Sequence, residues 1–231
     1  MKEANATGAV MPSAEEVASL FGVGSADEIR EHLMEYVRLM AYYRCAMMEI
    51  ETKLNVLNEE FSLRFDRQPI TDIRARLKRP ESIRGKLVRY GWPMTLASIE
   101  ENLSDVAGVR VICSFTADVY QLAEALLAQD DITLVARKDY IASPKPNGYR
   151  SLHLVVTVPI FLERGKRLMR VEIQLRTIAM DAWAALEHQL RYKKDTALTD
   201  ANHEELMRCA GLAAELDGRM DALRRATHLD D

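Results

Sequence analysis

The chain has 231 residues, with 48% hydrophobic and 29% charged residues and a formal net charge of −4. This balance excludes a disordered or fibrous protein and allows one sizeable buried core, while the mild acidity argues against a bulk electrostatic grip on long nucleic acid. No window approaches the roughly 18 uninterrupted apolar residues of a membrane-spanning helix, and the acid-bearing start lacks a compact signal-peptide core, so a cytoplasmic location without a membrane partner is expected. Cys45, Cys113 and Cys209 are far apart, show no metal-binding spacing, and are expected to be buried, reduced thiols.

Residues 1–24 mix Gly, Ala and Ser and read as a poorly ordered lead-in. Ser25 and Glu28 then have capping-box spacing. The series Ile29, Leu33, Tyr36, Val37, Met40 and Tyr43 predicts a helix continuing toward Leu57. Pro80 to Tyr90 reads as a short basic helix that ends at Gly91. Val106 to Phe115 is dense in β-branched residues and predicts a buried strand, followed by a helix over Ala117 to Gln129 and a strand near Ile132 to Tyr140. After a turn rich in Pro, Asn and Gly, strands are predicted over Ser151 to Val158 and Arg167 to Leu175, joined by a Glu163-Arg164-Gly165 hairpin. Helices over Thr177 to Lys193 and Asn202 to Arg225 close the chain. This order implies an α+β fold, a mixed sheet of about five strands flanked by helices. The division expected is a lead-in over 1–24, a main domain over 25–194 and a helical extension over 195–231. The apolar surface of the terminal helices, including Leu206, Leu212, Leu216 and Leu223, suggests self-association.

The segment Ser143 to His153, SPKPNGYRSLH, concentrates groups suited to a nucleotide. Lys145 and Arg150 can neutralise phosphate, and Tyr149 offers a flat face for a purine. Pro144, Pro146, Asn147 and Gly148 explain the turn, although an ordinary basic surface turn has the same ingredients. A second cationic cluster comprises Arg74, Arg76, Lys78, Arg79, Arg84, Lys86 and Arg89, in which Lys86 and Arg89 share a helix face. Such a cluster suits a nucleoside triphosphate, equally a solvated basic face, and it contains no Walker loop. Arg110 interrupts an apolar strand and needs either a core acid or a ligand. Asp105 precedes that strand and Glu172 alternates with Val171 and Ile173; the two could hold magnesium together with substrate phosphates, or simply line a polar strand face. His153 and His188 alone do not identify a hydrolase.

Taken together, RLKRPESIRGKL, LSDVAGVRVIC, KDYIASPKPNGYRSLH and VEIQLRTIAMDAWAALEHQLRYK closely resemble the synthetase domain of the RelA/SpoT family, over roughly residues 70 to 194. The resemblance implies a nucleotidyltransferase-like fold and a small alarmone synthetase, with no room for a separate hydrolase domain. The implied activity, part of the stringent response, is transfer of the β,γ-pyrophosphate of ATP to the ribose 3′-hydroxyl of GDP or GTP with release of AMP. By motif, Arg76, Lys78, Lys86 and Arg89 would grip ATP, with Arg76 and Arg110 bracketing adenine. Asp105 and Glu172 would bind Mg2+, and Glu172 would activate the 3′-hydroxyl. Tyr149 would stack on guanine, while Lys138, Lys145, Asn147 and His153 would line the acceptor site and Gln174 would support Glu172. Stand-alone members of that family are commonly homotetramers, and the long terminal helices here could serve that purpose. Some bifunctional relatives carry an arginine two residues before the lysine matching Lys138; here that position is Ala136, so their preference between GDP and GTP does not transfer. Alternatives that share these features are an adenosine nucleotide or tRNA 3′ end as acceptor, and a non-catalytic sensor of nucleotides or single-stranded RNA, the latter also an effector to be considered.

Overall fold

The computed structural model describes residues 13–22, 25–65, 67–192 and 199–227. Residues 1–12 and 23–24 of the expected lead-in lie outside the described residues. Five strands are present among the described residues: β1 (Ile70–Leu77), β2 (Ala107–Cys113), β3 (Thr133–Asp139), β4 (Leu152–Leu162) and β5 (Gly165–Thr177). They form one sheet in the order β1-β2-β5-β4-β3, in which β2 and β5 are parallel and the other neighbours antiparallel. This is the mixed sheet expected of an α+β chain.

Alternation along β2 and β5 gives the sheet two unlike faces. Val109 and Val111 on β2, and Val171, Ile173 and Leu175 on β5, are buried. The residues between them, Gly108 and Arg110 on β2 and Glu172, Gln174 and Arg176 on β5, turn to the opposite face. Register carries that face across the sheet: Arg110 lies opposite Arg74 on β1 and beside Gln174, and Gln174 pairs with His153 on β4, which pairs with Lys138 on β3. One face is therefore core and the other a polar platform.

Seven helices pack around this sheet among the described residues: α1 (Ala14–Phe21), α2 (Ala26–Phe65), α3 (Pro80–Tyr90), α4 (Leu96–Asn102), α5 (Thr116–Leu127), α6 (Ile178–Tyr192) and α7 (Asp200–Ala226). The Ser25 hydroxyl accepts from the Glu28 amide and the Glu28 carboxylate accepts from the Ser25 amide, closing the expected capping box of α2. This helix of 40 residues is about 60 Å long at 1.5 Å per residue. Tyr36, Tyr43, Ile50, Leu54 and Leu57 bury one of its stripes, and the helix crosses β1, β2, β4 and β5 on the apolar side. α5 packs beside it. No helix among the described residues is long and apolar enough to cross a membrane.

Four features depart from the sequence reading, one of them α4, over which no helix is predicted. Residues 14–21 of the expected lead-in are helical: Ser13 and Glu16 form a capping box, Gly22 ends the helix at φ 68°, and Val17 and Leu20 are fully buried. β1 was not predicted, because its inner residues are only partly buried and its alternate positions carry Asp72, Arg74 and Arg76. On α7, by contrast, Leu212, Leu216 and Leu223 are all more than half exposed, as the surplus apolar surface read from the sequence implies, and the inward positions are Ala210 and Asp217. Small side chains there allow close approach to the loop beneath. Finally, Cys113 is buried as expected, but Cys45 is half-buried and Cys209 is exposed, since Cys209 precedes the inward Ala210 by one residue.

Candidate active site

Glu172 occupies the middle of the polar platform and is largely enclosed. Gln174 Nε2 donates to its Oε2 at 2.9 Å, and His153 Nδ1 lies 3.4 Å from its Oε1. Burial pushes the carboxyl toward its neutral form and the Asp105 charge adds to that push. The bonds from His153 and Gln174 outweigh both and hold the carboxyl below the usual carboxylate range. Glu172 is therefore an ionised group that can accept a proton, with Asp105 close enough to be felt.

Asp105 ends the loop before β2. Lys78 Nζ, just past β1, donates to its Oδ2 at 2.7 Å, and Lys86 Nζ, on α3, donates to its Oδ1 at 2.9 Å. Burial raises the Asp105 pKa, but these two bonds and charges win, leaving it lowered. Two ammonium groups thus sit on the carboxylate oxygens where a divalent cation and phosphate oxygens could compete for them. Arg76 is exposed on β1, opposite Gly108, and Arg89 is exposed one turn beyond Lys86. Arg110 shares the platform with Arg76, and its Nη1 is 3.5 Å from Asp181 Oδ1. Burial and the neighbouring Arg176 charge lower the Arg110 pKa, with Asp181 opposing. Of the two partners expected for Arg110, a core acid or a ligand, the structure contains the acid, Asp181.

The loop between β3 and β4 carries the aromatic group. Gly148 N donates to Lys145 O at 2.8 Å and the Asn147 side chain accepts from Tyr149 N at 3.3 Å, so the predicted turn closes on itself. Asn147 Nδ2 also donates to Glu187 on α6 at 3.3 Å, which makes this amide a brace of the loop. Lys145 Nζ lies 4.5 Å from the Tyr140 ring centre and 5.0 Å from that of Tyr149. The Tyr149 hydroxyl lies 2.8 Å from His153 Nε2, which ties the ring to the platform. Lys138 is exposed on β3. Arg150 differs from expectation: neighbouring residues turn opposite ways, so with Tyr149 facing the site, Arg150 turns beneath the loop, where Nη2 donates to Ile141 O at 3.4 Å and Nε and Nη1 are buried without a partner. It is not a phosphate contact in this arrangement.

α7 forms the floor under this loop. Gly148 has φ 85°, and a Cβ built there would lie 2.6 Å from Ala210 Cβ and 3.1 Å from Met207 Sδ. Trp183 Nε1 donates to Leu206 O at 3.1 Å, and Thr177 Oγ1 donates to Asp217 Oδ2 at 2.9 Å, fastening α7 to α6 and to the end of β5.

The sequence reading assigns no role to Arg176 or Asp181, which the structure brings into the same constellation. Both are almost fully buried. Arg176 continues the Glu172, Gln174 alternation, and a cation in such a strand is the signal that singled out Arg110. His188 is exposed on α6. Among the described residues no group of three or more His, Cys, Asp or Glu side chains is arranged to hold a metal ion.

Gly148→Ala is expected to cost about 1–3 kcal/mol for its backbone conformation alone, with a further steric penalty from Ala210. Urea denaturation should show that penalty shrinking when the exchange is made in an Ala210→Gly background; equal costs in both backgrounds would contradict the packing. Replacing both Lys78 and Lys86 with Met should reverse the sign of Asp105's contribution. In the native chain its lowered pKa adds stability above the unfolded carboxyl's range, and this is lost as pH falls through the folded pKa. In the double variant burial is unopposed, so Asp105 should destabilise at neutral pH and the deficit should narrow on acidification. Denaturation at several pH values checks this, and a deficit that widens toward acid would refute it.

Known proteins resemble this chain over most of its length. The family model described as a region found in RelA / SpoT proteins matches residues 75–197. The chain is 37% identical to the GTP pyrophosphokinase YwaC of Bacillus subtilis over 86% of its own length and 95% of the relative's. It is 36% identical to the GTP pyrophosphokinase YjbM of the same organism over 82% and 89% of the two chains. Among solved structures, small alarmone synthetase 1 of Bacillus subtilis bound to its product pppGpp matches with a TM-score of 0.75 and 36% identity, covering 83% of this chain and 97% of that one. The same enzyme bound to AMPCPP matches with a TM-score of 0.71 and 32% identity, covering 84% and 98%. The chain belongs to the RelA/SpoT family.

Proposed function

We propose that this chain is a small alarmone synthetase, which transfers the β,γ-pyrophosphate of ATP to the 3′-hydroxyl of GDP or GTP and releases AMP. The observation that carries this reading is a donor-held Glu172 on the same sheet face as a cationic patch and an aromatic loop. The GTP pyrophosphokinase names of its relatives support it.

On this reading Lys78 and Lys86 leave Asp105 for the incoming triphosphate, joined by Arg76 and Arg89. Arg76 and Arg110, diagonal neighbours on adjacent strands, take the two faces of adenine. Tyr149 stacks on guanine after Lys145 moves from its ring to the acceptor's phosphates, and Lys138, Asn147 and His153 complete that side. Glu172, supported by Gln174, accepts the 3′-hydroxyl proton as that oxygen bonds to the β-phosphorus. The bridging oxygen keeps the electron pair of its bond to that phosphorus and departs on AMP. No covalent intermediate is required, because placement and charge neutralisation carry phosphoryl-type transfer.

Magnesium fits the oxygen donors of Asp105 and Glu172, a carboxylate pair whose remaining partners would be phosphates and water. When bound it would supply charge neutralisation on the phosphates. The exposed leucines of α7, with Leu186 and Leu190 on α6, support a homo-oligomer, with a tetramer favoured.

Purified protein given ATP, Mg2+ and GDP or GTP should form AMP and a 3′-pyrophosphorylated guanosine nucleotide in equal amounts. Glu172→Gln should lower turnover by about 10²–10⁴-fold, the range for loss of a general base, in a protein that still folds cooperatively. Absence of product with every nucleotide and metal pairing would overturn the activity, and normal turnover in the variant would overturn the role of Glu172.

A further inference from the structure

Five polar side chains form a connected circuit at the centre of the platform. Arg176 Nη2 donates to the Tyr149 hydroxyl at 2.7 Å and to Gln174 Oε1 at 3.1 Å. Gln174 continues to Glu172, and Tyr149 continues through His153 to the other oxygen of Glu172. Behind the circuit, Arg176 Nη1 donates to Asp181 Oδ1 at 3.0 Å, and Asp181 also receives Arg74 Nη1 at 3.3 Å.

The chemistry of the members fixes the direction of these bonds. A guanidinium can only donate and an ionised carboxylate can only accept, whereas amide, phenol and imidazole can do either. With Arg176 at one end, Glu172 at the other and a neutral imidazole at His153, both arms run the same way. Gln174 turns its carbonyl to Arg176 and its NH2 to Glu172. Tyr149 accepts from Arg176 and passes its own proton toward His153 Nε2, which leaves the imidazole proton on Nδ1, facing Glu172. The opposite tautomer would set a nitrogen lone pair against a carboxylate oxygen.

We propose that Arg176, oriented by Asp181, is a positioning residue that locks the guanine platform Tyr149 and the proton acceptor Glu172 into one fixed spacing. This rests on the roles proposed above for those two residues. The base and the 3′-hydroxyl are opposite ends of one nucleoside, so a ring that drifts relative to Glu172 moves the reacting oxygen. Holding both from one guanidinium removes that freedom before the substrate arrives. Because Asp181 also faces Arg110, the same anchor reaches the donor side of the platform.

The test compares Arg176→Met, Arg176→Lys, Tyr149→Phe and the Arg176→Met/Tyr149→Phe double variant. Arg74 and Arg110 still face Asp181 in Arg176→Met, so its carboxylate is not stranded. Expected is a kcat lowered by about 10- to 100-fold, typical for loss of a supporting hydrogen-bond partner, with the KM for ATP within about threefold of the native value. Tyr149→Phe keeps the ring and removes only the linking hydroxyl, so it should add little in the Arg176→Met background, both in kcat and in the GDP dissociation constant from calorimetry without ATP. If Arg176→Met does not fold, Arg176→Lys takes its place: the ammonium keeps a charge on Asp181 but cannot span Tyr149, Gln174 and Asp181 together, and kcat should still fall.

A folded Arg176 variant with kcat within about twofold of native, or effects of the two substitutions that simply multiply, would overturn the proposal. The calorimetric cycle needs no turnover. A normal Glu172→Gln enzyme would therefore remove the base assignment while the Arg176 to Tyr149 link is judged separately.

Discussion

A carboxylate that is mostly enclosed yet ionised needs donors, and that requirement at Glu172 organises the surrounding structure. Desolvation alone would favour the neutral acid, which could not accept a proton. Gln174 and His153 supply the compensation, and they in turn are oriented by Arg176 and Tyr149. Arg176 is itself nearly buried and is balanced by Asp181. The chain of compensation reaches the first turn of α6 before it ends.

The same logic explains the second carboxylate. Asp105 and Glu172 raise each other's cost of ionisation, so an apo site with both charged must contain nearby cations. Lys78 and Lys86 provide them, from the end of β1 and from α3. The arrangement is charged in advance: each ammonium that moves to a phosphate exposes a carboxylate oxygen to a divalent ion. Donor binding and metal binding on the proposed mechanism are therefore linked through a single side chain, with no movement of the sheet required.

Much of this was legible in the sequence because alternation is a local signal. Val171, Ile173 and Leu175 against Glu172 and Gln174 gave the face on which the polar groups lie, and the Pro, Asn and Gly of the loop between β3 and β4 gave its turn. Alternation puts Arg176 on the face of Glu172 and Gln174 but assigns no role to it or to Asp181, because their importance depends on contacts between β5, α6 and the loop. β1 was illegible for a related reason: an edge strand with charges on one face lacks the apolar density that marks a buried strand. Arg150 was misjudged because composition shows that a residue is cationic but not that its neighbour Tyr149 claims the outward direction. Leu212, Leu216 and Leu223 of α7 were read as surplus apolar surface on a helix, and their exposure agrees, while Ala210 and Asp217 take the inward positions against a tight loop.

The most direct measurement is a crystal structure of the protein with a non-hydrolysable ATP analogue, Mg2+ and GDP. The account predicts guanine lying on Tyr149, the 3′-oxygen within about 3 Å of Glu172, a hydrogen-bonding separation, and the triphosphate against Lys78 and Lys86. Guanine bound away from Tyr149, or a 3′-oxygen directed away from Glu172 with both nucleotides in place, would contradict it.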